Sequence, residues 1–130
     1  MITTLGVYTQ LLNLHDVNHQ VISKNINNVN TPGYESVAVS NSAFSEILTA
    51  ENKKHLPLNV TSANHIKGID GSSGDVHITH RTEGVEEKIN GNNVLLSYES
   101  IQLGQNSAKR SEALATYKAL NGTITSAIGK

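Results

Sequence analysis

The chain has no cysteine, no tryptophan and a single phenylalanine, and four tyrosines bring its aromatic share to only 4%. Without cysteine there is neither a disulfide framework nor a thiolate metal site, a composition an exported protein tolerates. Scarce aromatics remove the side chains that carry most burial energy. With 37% apolar residues in 130, the supply for one compact core is thin and there is no room for two. A strong charge of either sign is also missing. The formal net charge of −1 gives no electrostatic pull towards nucleic acid or an anionic membrane. Long apolar runs are absent as well. The opening MITTLGVYTQLLNLHDVNHQ has no basic leader, and Asn, His and Asp interrupt it. It therefore reads as neither a cleavable signal peptide nor a membrane span. Export, if it occurs, is expected to bypass the general secretory route.

What is present is two long helix-compatible ends. From Thr4 to Asn30 there is no proline and only Gly6. Leu5, Tyr8, Leu12, His15, His19, Ile22, Ile26 and Val29 recur at steps of three and four, the stripe of an amphipathic helix with a narrow seam. Such a helix is roughly 40 Å long. The last third keeps the same rhythm through Leu96, Glu99, Leu103, Asn106, Arg110, Ala113, Tyr117, Leu120, Ile124 and Ala127. Gly104 and Gly122 each cost that helix about 1 kcal/mol. Its N-cap is either Asn93 or Ser97, a choice that spacing leaves open. Polar seam residues such as Glu99, Asn106 and Arg110 are expensive in a monomeric core, whereas in a coiled coil they set register or partner choice.

Between these ends the chain is rich in Ser, Thr, Asn, Gly and His. Asp75 to Thr79 (DVHIT) suits a strand or hairpin edge. Ser42 to Ala50 has the spacing of a short helix, and Lys67 to Asp75 (KGIDGSSGD) reads as loop or linker. The expected architecture is mainly α. Long N- and C-terminal helices pair antiparallel as a coiled coil, with an extended or small β-containing insert between them. The divisions fall at 1–31, 32–92 and 93–130. Either the two ends satisfy each other or copies of other chains satisfy them.

The junction NINNVNTPGYES, Asn25 to Ser36, punctuates the first helix. Thr31 precedes Pro32 and is driven out of the α region, so the helix must end by about Asn30. Pro32 and Gly33 suit the centre of a type II turn, where Gly supplies positive φ. Asn27, Asn28 and Asn30 are placed to bond the orphan groups of the helix end or a neighbouring chain.

These residues also resemble a known signature. SKNINNVNTPGYES, Ser23 to Ser36, is similar to the N-terminal motif of the bacterial flagellar rod and hook family, close to A-x-N-I-A-N-x-x-T-P-G-Y. The matching positions are Asn25, Ile26, Asn28, Thr31, Pro32, Gly33 and Tyr34, with Asn27 where the family has a small Ala. Gly91 to Val94 (GNNV, carrying Asn92, Asn93 and Val94) resembles the stretch before the C-terminal helix of the proximal-rod subunit. Thr61, Ser62 and His65 match a stretch of that subunit's insert. Gln105 to Ile124 is similar to its last helix, with Asn106 on the family's asparagine. The chain departs at LLSYES after Val94, where the family is more acidic, and at Tyr117, which lies further on than the family's tyrosine.

The resemblance implies a structural subunit rather than an enzyme. Axial proteins leave the cytoplasm unfolded through the flagellum's own type III export apparatus, without a cleaved signal. They assemble around a hollow shaft within the periplasmic space. The implied partners are copies of the chain, other rod subunits, the rod–ring adaptor and the membrane-embedded ring protein, with no nucleic acid, cofactor or small-molecule substrate. In that setting Asn25, Ile26, Asn28, Thr31, Pro32, Gly33, Tyr34, Asn92, Asn93, Val94 and Asn106 form an assembly motif. Leu5, Tyr8, Leu12, Ile22, Val29, Leu103, Ala113, Tyr117, Leu120 and Ile124 form the helix seam.

Other readings fit less well. His15 and His19 have the spacing of zincin ligands, but the Glu of H-E-x-x-H is missing and no third ligand follows at a family spacing. A pair bonding across a helix–helix seam is the expected role. His77 and His80 lie three apart and face opposite sides of a strand. No nucleophile elbow, phosphate loop or dinucleotide fingerprint appears. Lys53-Lys54 and Lys109-Arg110 read as solvated pairs. The rival of substance is a helical subunit of another secretion-system or flagellar assembly, such as a needle or adaptor. A needle hairpin, however, turns midway rather than before a long insert.

Overall fold

A computed structural model describes residues 2–40, 42, 45 and 77–129. The expected helix over Ser42 to Ala50, the linker at Lys67 to Asp75 and the Thr61, Ser62 and His65 match lie wholly or mainly outside them. The described chain is mainly helical, with a small two-stranded sheet between its helices. Helix α1 spans Ile2–Asn27, 26 residues. Strand β1 spans Val37–Val39 and pairs antiparallel with β2, Ile78–His80, with Val37 opposite His80 and Val39 opposite Ile78. Helix α2 spans Leu96–Ile128, 33 residues. It passes straight through Gly104 and Gly122, which lie in open space.

Helix α1 closes by tightening. The Asn28 amide is shared between Lys24 O and Asn25 O, and Val29 N reaches Ile26 O. The Asn28 side chain also donates to Lys24 O at 2.8 Å, a second bond on the carbonyl that otherwise has only the shared Asn28 amide. Thr31 to Tyr34 then form a turn, closed from Tyr34 N to Thr31 O, with Gly33 at φ +69°. That left-handed residue is where the Pro-Gly pair predicts it.

Neither expected cap begins α2. The N-cap is Leu95, in extended backbone and with no side-chain cap bond. Asn93 is committed elsewhere, since its Oδ1 accepts from Ser36 N at 2.6 Å. Ser97 already lies inside the first turn.

The helices lie side by side and run in opposite directions. Asn25, near the end of α1, bonds Glu99 near the start of α2, whereas His15 and Asp16, further back on α1, bond Asn106 and Arg110, further along α2. The seam is only partly what the stripe predicts. Ile22 and Ala113 are buried, whereas Leu5, Tyr8, Leu12, Ile26, Val29, Leu103, Tyr117, Leu120 and Ile124 are half-buried. His19, Leu96 and Ala127 of the stripe are exposed instead. A 3.5-residue stripe drifts about 20° per heptad around a straight helix, which turns such positions out of the contact.

Burial concentrates where the helices meet the sheet. Val21, Ile22, Val94 and Ala113 are the buried apolar residues among those described, and Asn25, Ser36, Asn92, Glu99 and Asn106 are buried polar ones. A core in which buried polar residues outnumber apolar ones must be held by hydrogen bonds.

Candidate functional site

Asn25 organises the densest of those bonds. It projects from the last full turn of α1. Its Oδ1 accepts from Val37 N and from the Tyr34 hydroxyl, both at 3.0 Å. Its Nδ2 donates to Val37 O at 2.8 Å and to Glu99 Oε1 at 3.1 Å. A carboxamide has two acceptor sites and two donors, and all four are used. By taking both the N–H and the C=O of Val37, the side chain stands where a third strand would pair and closes that edge of the sheet.

Asn92, also fully buried, ties down the other end of the turn. Its Nδ2 donates to Asn28 O and Thr31 O at 2.8 Å each, and its Oδ1 accepts from Val94 N at 2.8 Å. Asn93 N donates to Tyr34 O, and Gly33 N donates to Asn90 O. Gly91, at φ +76°, passes directly over Gly33: a Cβ there would sit 3.5 Å from the Gly33 Cα. The T-P-G-Y turn and the G-N-N-V stretch, some sixty residues apart in sequence, thus interlock as one clasp.

Beneath the clasp lies Glu99, 1% exposed. Its second oxygen is 3.5 Å from the Arg81 guanidinium, a long approach that makes no hydrogen bond. Arg81 in turn stacks over the Tyr98 ring, 4.9 Å from its centre. Burial holds the Glu99 carboxyl above its ordinary value, against the opposing pull of Arg81 and the Asn25 bond. The Tyr34 hydroxyl is raised too, by burial and then by the nearby Glu99 charge.

A second polar node lies halfway along the helix pair. Asn106 Oδ1 accepts from His15 Nδ1 at 2.8 Å and from Asn18 Nδ2 at 3.2 Å, while its Nδ2 donates to His15 O at 2.9 Å. His15 therefore bonds across the seam as expected, but His19, exposed, does not share that role. One turn further, Arg110 Nε donates to Asp16 Oδ1 at 2.6 Å, which raises the guanidinium's pKa. Both side chains are nearly half exposed, so the pair fixes register more than it adds stability.

The structure thus gathers Asn25, Asn28, Thr31, Gly33, Tyr34, Asn92, Asn93 and Val94 into one site. It places Asn106 apart, in the helix seam, and leaves Pro32 exposed at the turn. Sequence reasoning missed Arg81, Ser36, Val37, Tyr98 and Gly84. Arg81 and Tyr98 carry no local pattern, because their partners are distant in sequence. A turn around Asn90-Gly91 was legible from the dipeptide itself.

Chemically the arrangement binds and positions. Glu99 and Tyr34 are taken up by structural bonds, and His80 makes a surface pair with Glu35 at 3.1 Å. Among the described residues no three His, Asp or Glu side chains converge as a metal site would need, and no helix is long and apolar enough to cross a membrane. Compared with known proteins, the chain matches no family model and no curated protein.

Proposed function

We propose that this chain is a structural subunit of the bacterial flagellar basal body, in its proximal rod, of the kind called flagellar basal-body rod protein B. Supporting this is the meeting of the two stretches that carry the resemblance. Asn25 to Tyr34 and Gly91 to Val94 form a single hydrogen-bonded clasp, so the signature describes one built object rather than two coincidental strings. The half-buried distal seam supports it as well. Residues such as Tyr8, Leu12, Tyr117 and Leu120 keep part of their surface free, and neighbouring copies would cover it, completing an antiparallel coiled coil. Assembled around a bore, such subunits transmit torque and leave a channel for later exports. Periplasmic rod subunits, the rod–ring adaptor and the ring protein are the partners in this reading.

The test is genetic. Removing the chain from the bacterium that makes it is expected to stop basal bodies at the ring stage and abolish swimming, with full recovery on re-expression. Normal rods and normal swimming without it would overturn the proposal.

A further inference from the structure

We propose that the loop tip bearing Ile89 seats in the groove between α1 and α2 of a second copy of this chain. The inference deepens the rod-subunit reading and takes from it only that copies of the chain meet.

Ile89 is wholly exposed, at 110% of its reference area. Held out on this tip, its side chain is apolar area that a partner's groove can take out of water. Its loop is tightly closed: Val85 bridges Val94, Lys88 N donates to Asn92 O and Gly91 N donates to Lys88 O, both at 2.9 Å. Lys88 Nζ adds a bond to Val29 O at 3.2 Å, tying the loop to the end of α1. The tip is therefore built before it meets a partner, and seating it orders little extra chain.

The receiving surface is an open groove of about 410 Å³ between the helices, floored by Tyr8, Leu11, Leu14 and Ala113. That volume accommodates an isoleucine side chain with space to spare. Lys109 and Glu112 line it one helical turn apart. The tip carries Glu86 and Glu87 on one side of Ile89's neighbour Lys88. Placing the two carboxylates against Lys109 pairs opposite charges and fixes the loop's orientation, with Lys88 left on Val29 O.

No copy can fill its own groove. The tip is anchored at Val29, and the groove begins near His15 and runs back to Tyr8, roughly 20–30 Å up the same helix. A tip seated there must come from another molecule. Since tip and groove are different patches, the contact is heterologous, and each copy that receives a tip still offers one.

A chain without cysteine makes the test direct. The full-length double variant Ile89→Cys/Thr116→Cys, concentrated and gently oxidised, is expected to give a ladder of species at multiples of 14.0 kDa whose disulfides, read by peptide mapping, join position 89 to position 116. Each single-cysteine variant should stop at dimers. In sedimentation of the otherwise unaltered chain, Ile89→Asp should weaken self-association at least tenfold. Lys109→Glu should weaken it too, and Glu86→Lys/Glu87→Lys in the same chain should restore it. A double variant that stops at dimers, or an Ile89→Asp chain that associates as the parent does, overturns the contact. If the ladder forms but swimming is normal without the chain, the contact stands and the flagellar reading alone falls.

Discussion

The two halves of the helix pair are built on different principles. Near the sheet, from Val21 to Val37 and from Arg81 to Glu99, Asn25 uses all four of its side-chain hydrogen bonds and Asn92 three of its four, and Val94 is fully buried. Towards the start of α1, Tyr8, Leu11 and Leu14 face Ala113 and Thr116 across a groove, and of these only Ala113 is buried. The first half spends its polar groups on itself. The second leaves apolar surface for something else to cover. Specific hydrogen-bonded geometry at one end and incomplete packing at the other should give the two halves different local stabilities.

The strongest challenge to this contrast lies at Arg81. Arg81→Met strips the buried Glu99 carboxylate of the cation that faces it among the described residues, and unfolding by urea should show a loss of about 3–5 kcal/mol. Adding Glu99→Gln should return most of that loss. A single variant within about 1 kcal/mol of the parent would mean that the clasp end is not the stable half.

Two glycines sharpen the same point. At Gly84, φ +64°, a Cβ would collide with the Tyr98 ring on which Arg81 stacks. Gly84→Ala should therefore cost about 2–3 kcal/mol. Gly33 has a similar φ but open space around it, so Gly33→Ala should cost only the left-handed backbone, about 1–2 kcal/mol. Equal losses would show that Tyr98 is not held in place.

Glu99 also gives the clasp a pH axis. Its folded carboxyl sits above the ordinary value of 4.5, so the folded chain keeps a proton that the unfolded chain has released. This contribution is fully present below that ordinary value and is lost as pH rises through the raised one. Urea midpoints measured from acid to neutral pH should carry this downward component. It should vanish in Glu99→Gln, and a parallel pair of profiles would count against it.

The smallest effect belongs to the open half. Tyr8→Ala and Leu12→Ala should each cost the isolated chain no more than about 1–1.5 kcal/mol, below the 2–5 typical of a packed core truncation. Losses in the core range would mean that this half is already closed.

How much of this was legible depended on the range of each interaction. The helices were, because period and proline placement are local. Gly33's left-handed turn was, because Pro-Gly admits few alternatives. The seam was legible only in outline, since a stripe counted on paper does not follow the drift of a straight helix, as His19, Leu96 and Ala127 show. The α2 cap was misread because Asn93 looked free to cap, when its oxygen was already claimed by Ser36, 57 residues earlier. Of the Glu99 site, the polar seam position was visible. Its cation was not, because nothing around Arg81 in the chain marks it as interior.

The strands have one further consequence. Ser40 N donates to His77 O at 2.8 Å, so the main chain departs and re-enters through a single doorway. With those two posts fastened to each other, lengthening the stretch between them costs only the slow, logarithmic growth of loop-closure entropy, about 0.6 kcal/mol for each doubling.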